Sequence, residues 1–277
     1  MTEGSGVEGE VDGRMPPDGE QEQPASVDLP TIAPAPRREP PWSVWDVLLV
    51  AVVFIVIDVA VTAAAALVAV RMAHMAWEDA LYNAWIVVPA QLVAYAAGLA
   101  FMYWLVTHTY GRPFWATVRW HWPTGLGKAA GLILIGTPMA VATSYLESVL
   151  PMPSQLPLEQ LFTSATTAYL MAGLAVLAAP FLEELFFRGF LYPVLRRVGA
   201  AFGVVVTALA FAAVHGTEYA WSVTAVTLLF GVGLVLTIAR ARSGSVVPGF
   251  LIHVGYNLTL FVFMFISSDH FRHFERM

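Results

Sequence analysis

From Val44 to Ile266 the sequence alternates long apolar runs with short breaks rich in Gly, Pro, Arg and Trp. The runs are Val44–Val70, Asn83–His108, about Gly125–Val149, one starting near Phe162 or Thr166 and stopping at Gly199, Ala200–His215, about Trp221–Ala239, and Ser245–Ile266. A helix needs about 20 predominantly apolar residues to cross a bilayer. The pattern therefore predicts an all-α polytopic membrane protein, a bundle of about seven transmembrane helices. The breaks fit that reading. Residues 71–79 and 150–160, the second with three prolines, are expected as loops. Residues 110–124 interleave Arg112, Trp115, Arg119, Trp120, His121 and Trp122, as suits a segment at headgroup level. His121 is expected there as an interfacial histidine. Trp42 and Trp45 are expected in an aromatic belt at the entry to the first helix.

Composition agrees. The chain has 277 residues, of which 58% are hydrophobic and 12% charged, and its mean hydropathy is +0.67. With no cysteine, disulfides, thiol catalysis and Cys-ligated metal are excluded. The net charge of −6 is misleading, because residues 1–42 hold nine acids and three arginines and account for all of it. That segment is rich in Gly, Pro, Asp and Glu and too poor in apolar bulk to order itself. It is expected as a disordered acidic tail, followed by a transmembrane domain over 43–277. Nothing points to nucleic acid. Arg37, Arg38, Arg112, Arg119, Lys128, Arg196, Arg197, Arg240 and Arg242 fall on one side of a seven-span arrangement. By the positive-inside rule the amino terminus is cytoplasmic and the carboxyl terminus outside. The expected location is the plasma membrane of a bacterium, with membrane lipid as surroundings.

Charges inside apolar runs are costly and mark candidate functional sites. Asp58 in the first run is expected to make a buried polar contact to another helix; Gln91 and Tyr95 in the second are expected as helix-to-helix hydrogen bonders. The fourth run holds Pro180-Phe-Leu-Glu-Glu-Leu-Phe-Phe-Arg188. Glu184 and Arg188 are four apart and share a helical face. Glu183 is rotated from them by about 100° and points elsewhere. The bland alternative is an ion pair at headgroup level, but both flanks continue apolar. Glu183 lies fifteen residues before Val198 and His215 seventeen after it. At a rise of ~1.5 Å per residue both sit roughly 22–26 Å from that turn, so they can meet across an antiparallel hairpin. His253 is only about 12 Å into its helix, which leaves a gap of about 10 Å to be closed by tilt or by a projecting hairpin. His253 and Asn257 again share a face. Each residue alone suits a buried hydrogen bonder. Together, on the fourth, fifth and seventh helices, they supply a carboxylate base, histidines and an amide donor, a hydrolytic inventory.

Glu183-Glu184-x-x-x-Arg188, Phe211-x-x-x-His215 and His253-x-x-x-Asn257, in that order, resemble the three motifs of the CPBP family. That family comprises type 2 CAAX prenyl endopeptidases and the bacteriocin-processing or Abi-type intramembrane proteases. The resemblance covers roughly residues 165–267. It implies an intramembrane endopeptidase acting on a peptide or membrane-protein substrate. Glu183 would activate water with His215, His253 and Asn257 would stabilise the oxyanion, and the Glu184–Arg188 pair would hold the first glutamate in place. Zinc is possible as a cofactor, held by Glu183, His215 and His253; a metal-free water is the slightly favoured expectation. His-Glu-x-x-His, Gly-x-Gly-Asp and Gly-x-Ser-x-Gly patterns are absent, so other protease chemistries fit worse. The remaining alternatives are a non-proteolytic scaffold or regulator, an immunity protein, and, less in keeping with unbroken helices and no repeats, an ion-coupled transporter.

Overall fold

A chain segment in lipid has no water to satisfy its backbone, so each apolar run must bond internally as helix. The computed structural model describes residues 39–271, with Met1, Gly6, Gly9 and Gly13, and every regular element among the described residues is helical. The expected acidic tail lies almost wholly outside the described residues. Arg38–Met277 forms one unit and Met1–Arg37 another. Seven apolar helices follow in order: α1 Val44–Ala73, α2 Ala84–Thr109, α3 Leu126–Val149, α4 Ala165–Leu195, α5 Ala200–Val214, α6 Val223–Ser243 and α7 Val247–Ser267. Six of them are long and apolar enough to cross a membrane. The exception is α5, whose 15 residues give about 22 Å against a hydrocarbon core of about 30 Å. Two expected loops contain short helical turns, Trp77–Leu81 and the 3₁₀ segment Pro157–Leu161.

The helix ends follow local chemistry. Asp46 accepts from the Ser43 N–H at 2.8 Å and closes the start of α1. The Asn83 side chain accepts from the Trp85 N–H at 3.0 Å at the start of α2. Gly244, at φ 70°, stops α6 in a left-handed turn that glycine adopts without a Cβ penalty.

In the bundle α1 packs along α2, α3 along α7, and α5 along α6, while α4 touches α1, α2, α5 and α7. The α3–α7 approach is the closest. A Cβ at Gly255 would collide with the Ile133 carbonyl, and one at Gly136 with the Tyr256 backbone. Small residues at such crossings let helices associate by backbone contact, where no hydrophobic force separates protein from lipid tails. The face of α1 that carries Val52, Ile55, Val56 and Val59 remains exposed and is suited to lipid.

Two expectations change here. Trp42 does not face lipid: it is fully buried, stacks on Phe190 at 4.2 Å and donates its indole N–H to the Phe190 carbonyl at 3.0 Å. That bond reaches a wide-wound part of α4, described next, and anchors the chain before α1 begins. Asp58, expected to make a buried polar contact to another helix, has its Oδ1 buried with no hydrogen-bond partner among the described residues.

Candidate active site

The central helix α4 is not a plain α-helix. It runs as α over Ala165–Gly173, π over Leu174–Ala178, α over Ala179–Glu183, π over Glu184–Leu191 and α again over Tyr192–Leu195. Pro180 supplies a cause for the first wide turn. At π spacing the Ala179 N–H bonds the Leu174 carbonyl, and residue 180 should bond the Ala175 carbonyl next. Pro180 has no N–H to give. The Asn257 amide takes its place and donates to the Ala175 carbonyl at 2.7 Å. Asn257 therefore spends this N–H on bracing α4 beside the glutamates. Wide turns also rise less per residue than α turns, so the second π segment draws Glu183 toward the α4–α5 turn. That narrows the depth gap to His253 which the sequence leaves.

Glu184 and Arg188 are both fully buried and pair at 2.7 Å. Arg188 also donates to Thr237 Oγ1 at 3.2 Å and to the Gly233 carbonyl at 3.1 Å, both on α6. Its guanidinium lies 4.6 Å from the centre of the Phe211 ring on α5. An arginine with that many donors used and an aromatic face beneath it is held in one orientation. Glu184 Oε1 accepts from Arg188 and also faces His253 Nδ1 at 3.2 Å. Its second oxygen packs against Gly249 of α7, where a Cβ would come within 2.6 Å.

Glu183 points the other way, as the rotation along the helix requires. His215 Nε2 is 3.9 Å and His253 Nε2 3.8 Å from its carboxylate. His215 Nδ1 meets the Phe211 carbonyl at 2.8 Å. A carbonyl only accepts, so the proton sits on Nδ1 and Nε2 is left with its lone pair. The Glu184 carboxylate fixes His253 the same way. Three acceptors thus converge, and Glu183 Oε2 is buried without a hydrogen-bond partner. Separations of 3.8 and 3.9 Å are too long for direct hydrogen bonds. They are short enough for one water to reach Glu183 and a ring nitrogen together. In the turn after α5, crowding by protein raises the Glu218 carboxyl above its ordinary range although part of its side chain reaches the surface, and the negative charge of Glu183 adds to this.

The zinc expectation can be tested on this geometry. Ligands about 2.0–2.1 Å from a tetrahedral zinc are ~3.3 Å apart. Glu183 is farther than that from both rings, and among the described residues no group of three His, Asp or Glu side chains could hold a metal ion. The donor set does not fit zinc as arranged.

The structure thus brings Glu183, Glu184, Arg188, His215 and His253 together at the meeting of α4, α5 and α7, with Asn257 one turn along α7 against Ala175. Gly249, Thr237 and Gly233 also shape the site and were not singled out from sequence. The i, i+4 spacing of Gly233 and Thr237 on an apolar helix was a usable signal; Gly249 offered none.

These helices define a polytopic membrane protein with a buried carboxylate–histidine cluster. Residues 165–259 match the family model of the type II CAAX prenyl endopeptidases, Rce1-like. The matched segment spans all six residues. No curated protein and no solved structure matches the chain.

Proposed function

We propose that this protein is an intramembrane endopeptidase that hydrolyses a peptide bond with a water activated by Glu183. The observation that supports this is the convergence of Glu183 with two imidazole nitrogens whose protons are directed elsewhere. A water among three acceptors donates its two hydrogens to two of them and keeps a lone pair for attack. Glu183 takes a proton as the oxygen bonds to the substrate carbonyl carbon. The tetrahedral oxyanion that forms needs a donor. His253, set between Glu183 and Glu184, supplies one once a solvent proton has added at its Nε2 before attack, the water then donating to Glu183 and His215. As the C–N bond breaks, the proton held by Glu183 passes to the leaving nitrogen.

Glu184 and Arg188 act as positioning residues: the carboxylate sets the His253 tautomer and the guanidinium holds the carboxylate. Asn257 positions α4. The proposed setting is a bacterial plasma membrane with the amino terminus cytoplasmic and the carboxyl terminus outside. The substrate is a peptide segment of a membrane-associated protein, and the matched family makes a prenylated carboxyl terminus the first candidate.

The test is cleavage of a prenylated reporter peptide, and of a mixed membrane-protein pool, in liposomes. Wild type, Glu183→Gln and His215→Ala are compared at matched insertion. Both variants should lose cleavage while melting within a few degrees of wild type. Undiminished cleavage by either sinks the mechanism. A wild type that cleaves neither substrate pool favours the scaffold alternative.

A further inference from the structure

At the end of the bundle where α4 and α6 finish, a cleft of ≈ 280 Å³ is lined by Arg119, Arg196, Arg197 and Arg240, with Glu39 and Tyr192. Two features separate it from ordinary surface arginines. Arg240 is only 4% exposed and has no carboxylate partner among the described residues. Its Nε donates to the Arg188 carbonyl at 3.1 Å, and its guanidinium stands 5.8 Å from the Tyr192 ring centre. A buried guanidinium without a counter-charge is costly unless something anionic completes it. Arg119 is held with φ at 63°, a region that residues with a Cβ rarely occupy. Its carbonyl is fixed there by the Val246 N–H at 3.0 Å. Strain of this kind points to a constraint on where the side chain goes.

The charge balance is one-sided. The carboxyl ends of α4 and α6 contribute roughly half a negative charge each and Glu39 one more, against four guanidinium groups. Arg197 also donates to the Pro40 carbonyl, which carries no net charge. Trp115 and Trp122 stand exposed on the neighbouring segment, as suits indoles that meet headgroups.

We propose that this cleft binds a phosphate-bearing anion, supplied by the headgroup of an anionic membrane lipid. The fork geometry of arginine suits phosphate oxygens, and a basic pocket between helices at headgroup level is a site for such lipids. The Arg240–Arg188 bond places the occupied cleft one hydrogen bond from the buried ion pair.

The full-length protein in neutral detergent is titrated with phosphatidylglycerol, phosphatidylcholine or inorganic phosphate, with melting temperature and native mass spectrometry as readouts. Phosphatidylglycerol should bind and raise the melting temperature, and phosphatidylcholine should not. Arg196→Gln with Arg197→Gln should weaken phosphatidylglycerol binding roughly 30-fold, at about 1 kcal/mol per arginine. Arg119→Gly relieves the φ of 63° while removing one cation. It should melt no lower than wild type without lipid, yet bind phosphatidylglycerol roughly fivefold more weakly. Equal stabilisation by inorganic phosphate supports the phosphate site and assigns its occupant to the free ion. Phosphatidylglycerol binding no better than phosphatidylcholine, or unchanged in both variants, overturns the proposal.

Discussion

Arg188→Met tests the energetics of the site. The substitution keeps the volume and removes the charge from a position with no solvent exposure. Glu184, equally buried, then keeps only His253 Nδ1 at 3.2 Å as a partner. Breaking a buried pair by removing one member costs about 3–5 kcal/mol, because the other charge is left uncompensated. At 2–4 °C per kcal/mol for a chain of this size, the melting temperature should fall by on the order of 10 °C. Removing both charges separates stability from function. Glu184→Leu with Arg188→Met replaces the pair by apolar volume, which is often neutral, so much of the lost stability should return. Cleavage should not return, because His253 then lacks the acceptor that fixes its tautomer. The assays are thermal melting in detergent and cleavage in liposomes on the same preparations. A single variant that melts like wild type would falsify the buried pair, and a double variant with full activity would remove Glu184 from the positioning of His253.

Three further outcomes are expected. Gly249→Ala places a methyl within 2.6 Å of Glu184 Oε2 and should cut cleavage at least tenfold with insertion intact; wild-type cleavage would show that α7 yields freely there. Chelation should leave an active preparation active, because the Glu183–His distances are too wide for zinc; one zinc per chain that tracks activity by elemental analysis would refute this. Reporters fused after residue 118 or 241 should be active as cytoplasmic fusions, and those after 155 or 275 as external ones; a complete reversal overturns the orientation, and a reversal at 241 and 275 alone overturns the assignment of α5 as a crossing helix.

Much of the site could be read from spacing because helical geometry is regular. Counting residues on either side of Val198 was enough to expect Glu183 and His215 at one level, and the i, i+4 rule was enough for Glu184 with Arg188. What spacing could not show depends on departures from that regularity. The first π turn of α4 follows from how Pro180 is accommodated among neighbours, and it leaves the Ala175 carbonyl for Asn257. Trp42 reads as a belt residue because tryptophans before a first helix commonly are. Its burial depends on the Phe190 carbonyl, 148 positions away. Asp58 invited a hydrogen-bond partner that its buried Oδ1 does not find among the described residues. Gly249 is invisible without knowing that a carboxylate stands opposite.

The wide turns of α4 make this helix unequally tolerant of two kinds of sequence change. A π turn is an α-helix carrying one surplus residue, so deleting a single residue within Leu174–Ala178 can restore ordinary winding there. The two sides of the deletion would then be out of phase by about 100°, and both glutamates could not keep their aim relative to Ser164 and the helix start. Substitutions at exposed positions such as Tyr169 or Leu177 disturb nothing comparable. Divergence in α4 is therefore expected to accumulate as exchanges of side chains at constant length, with insertions and deletions confined to the loops on either side.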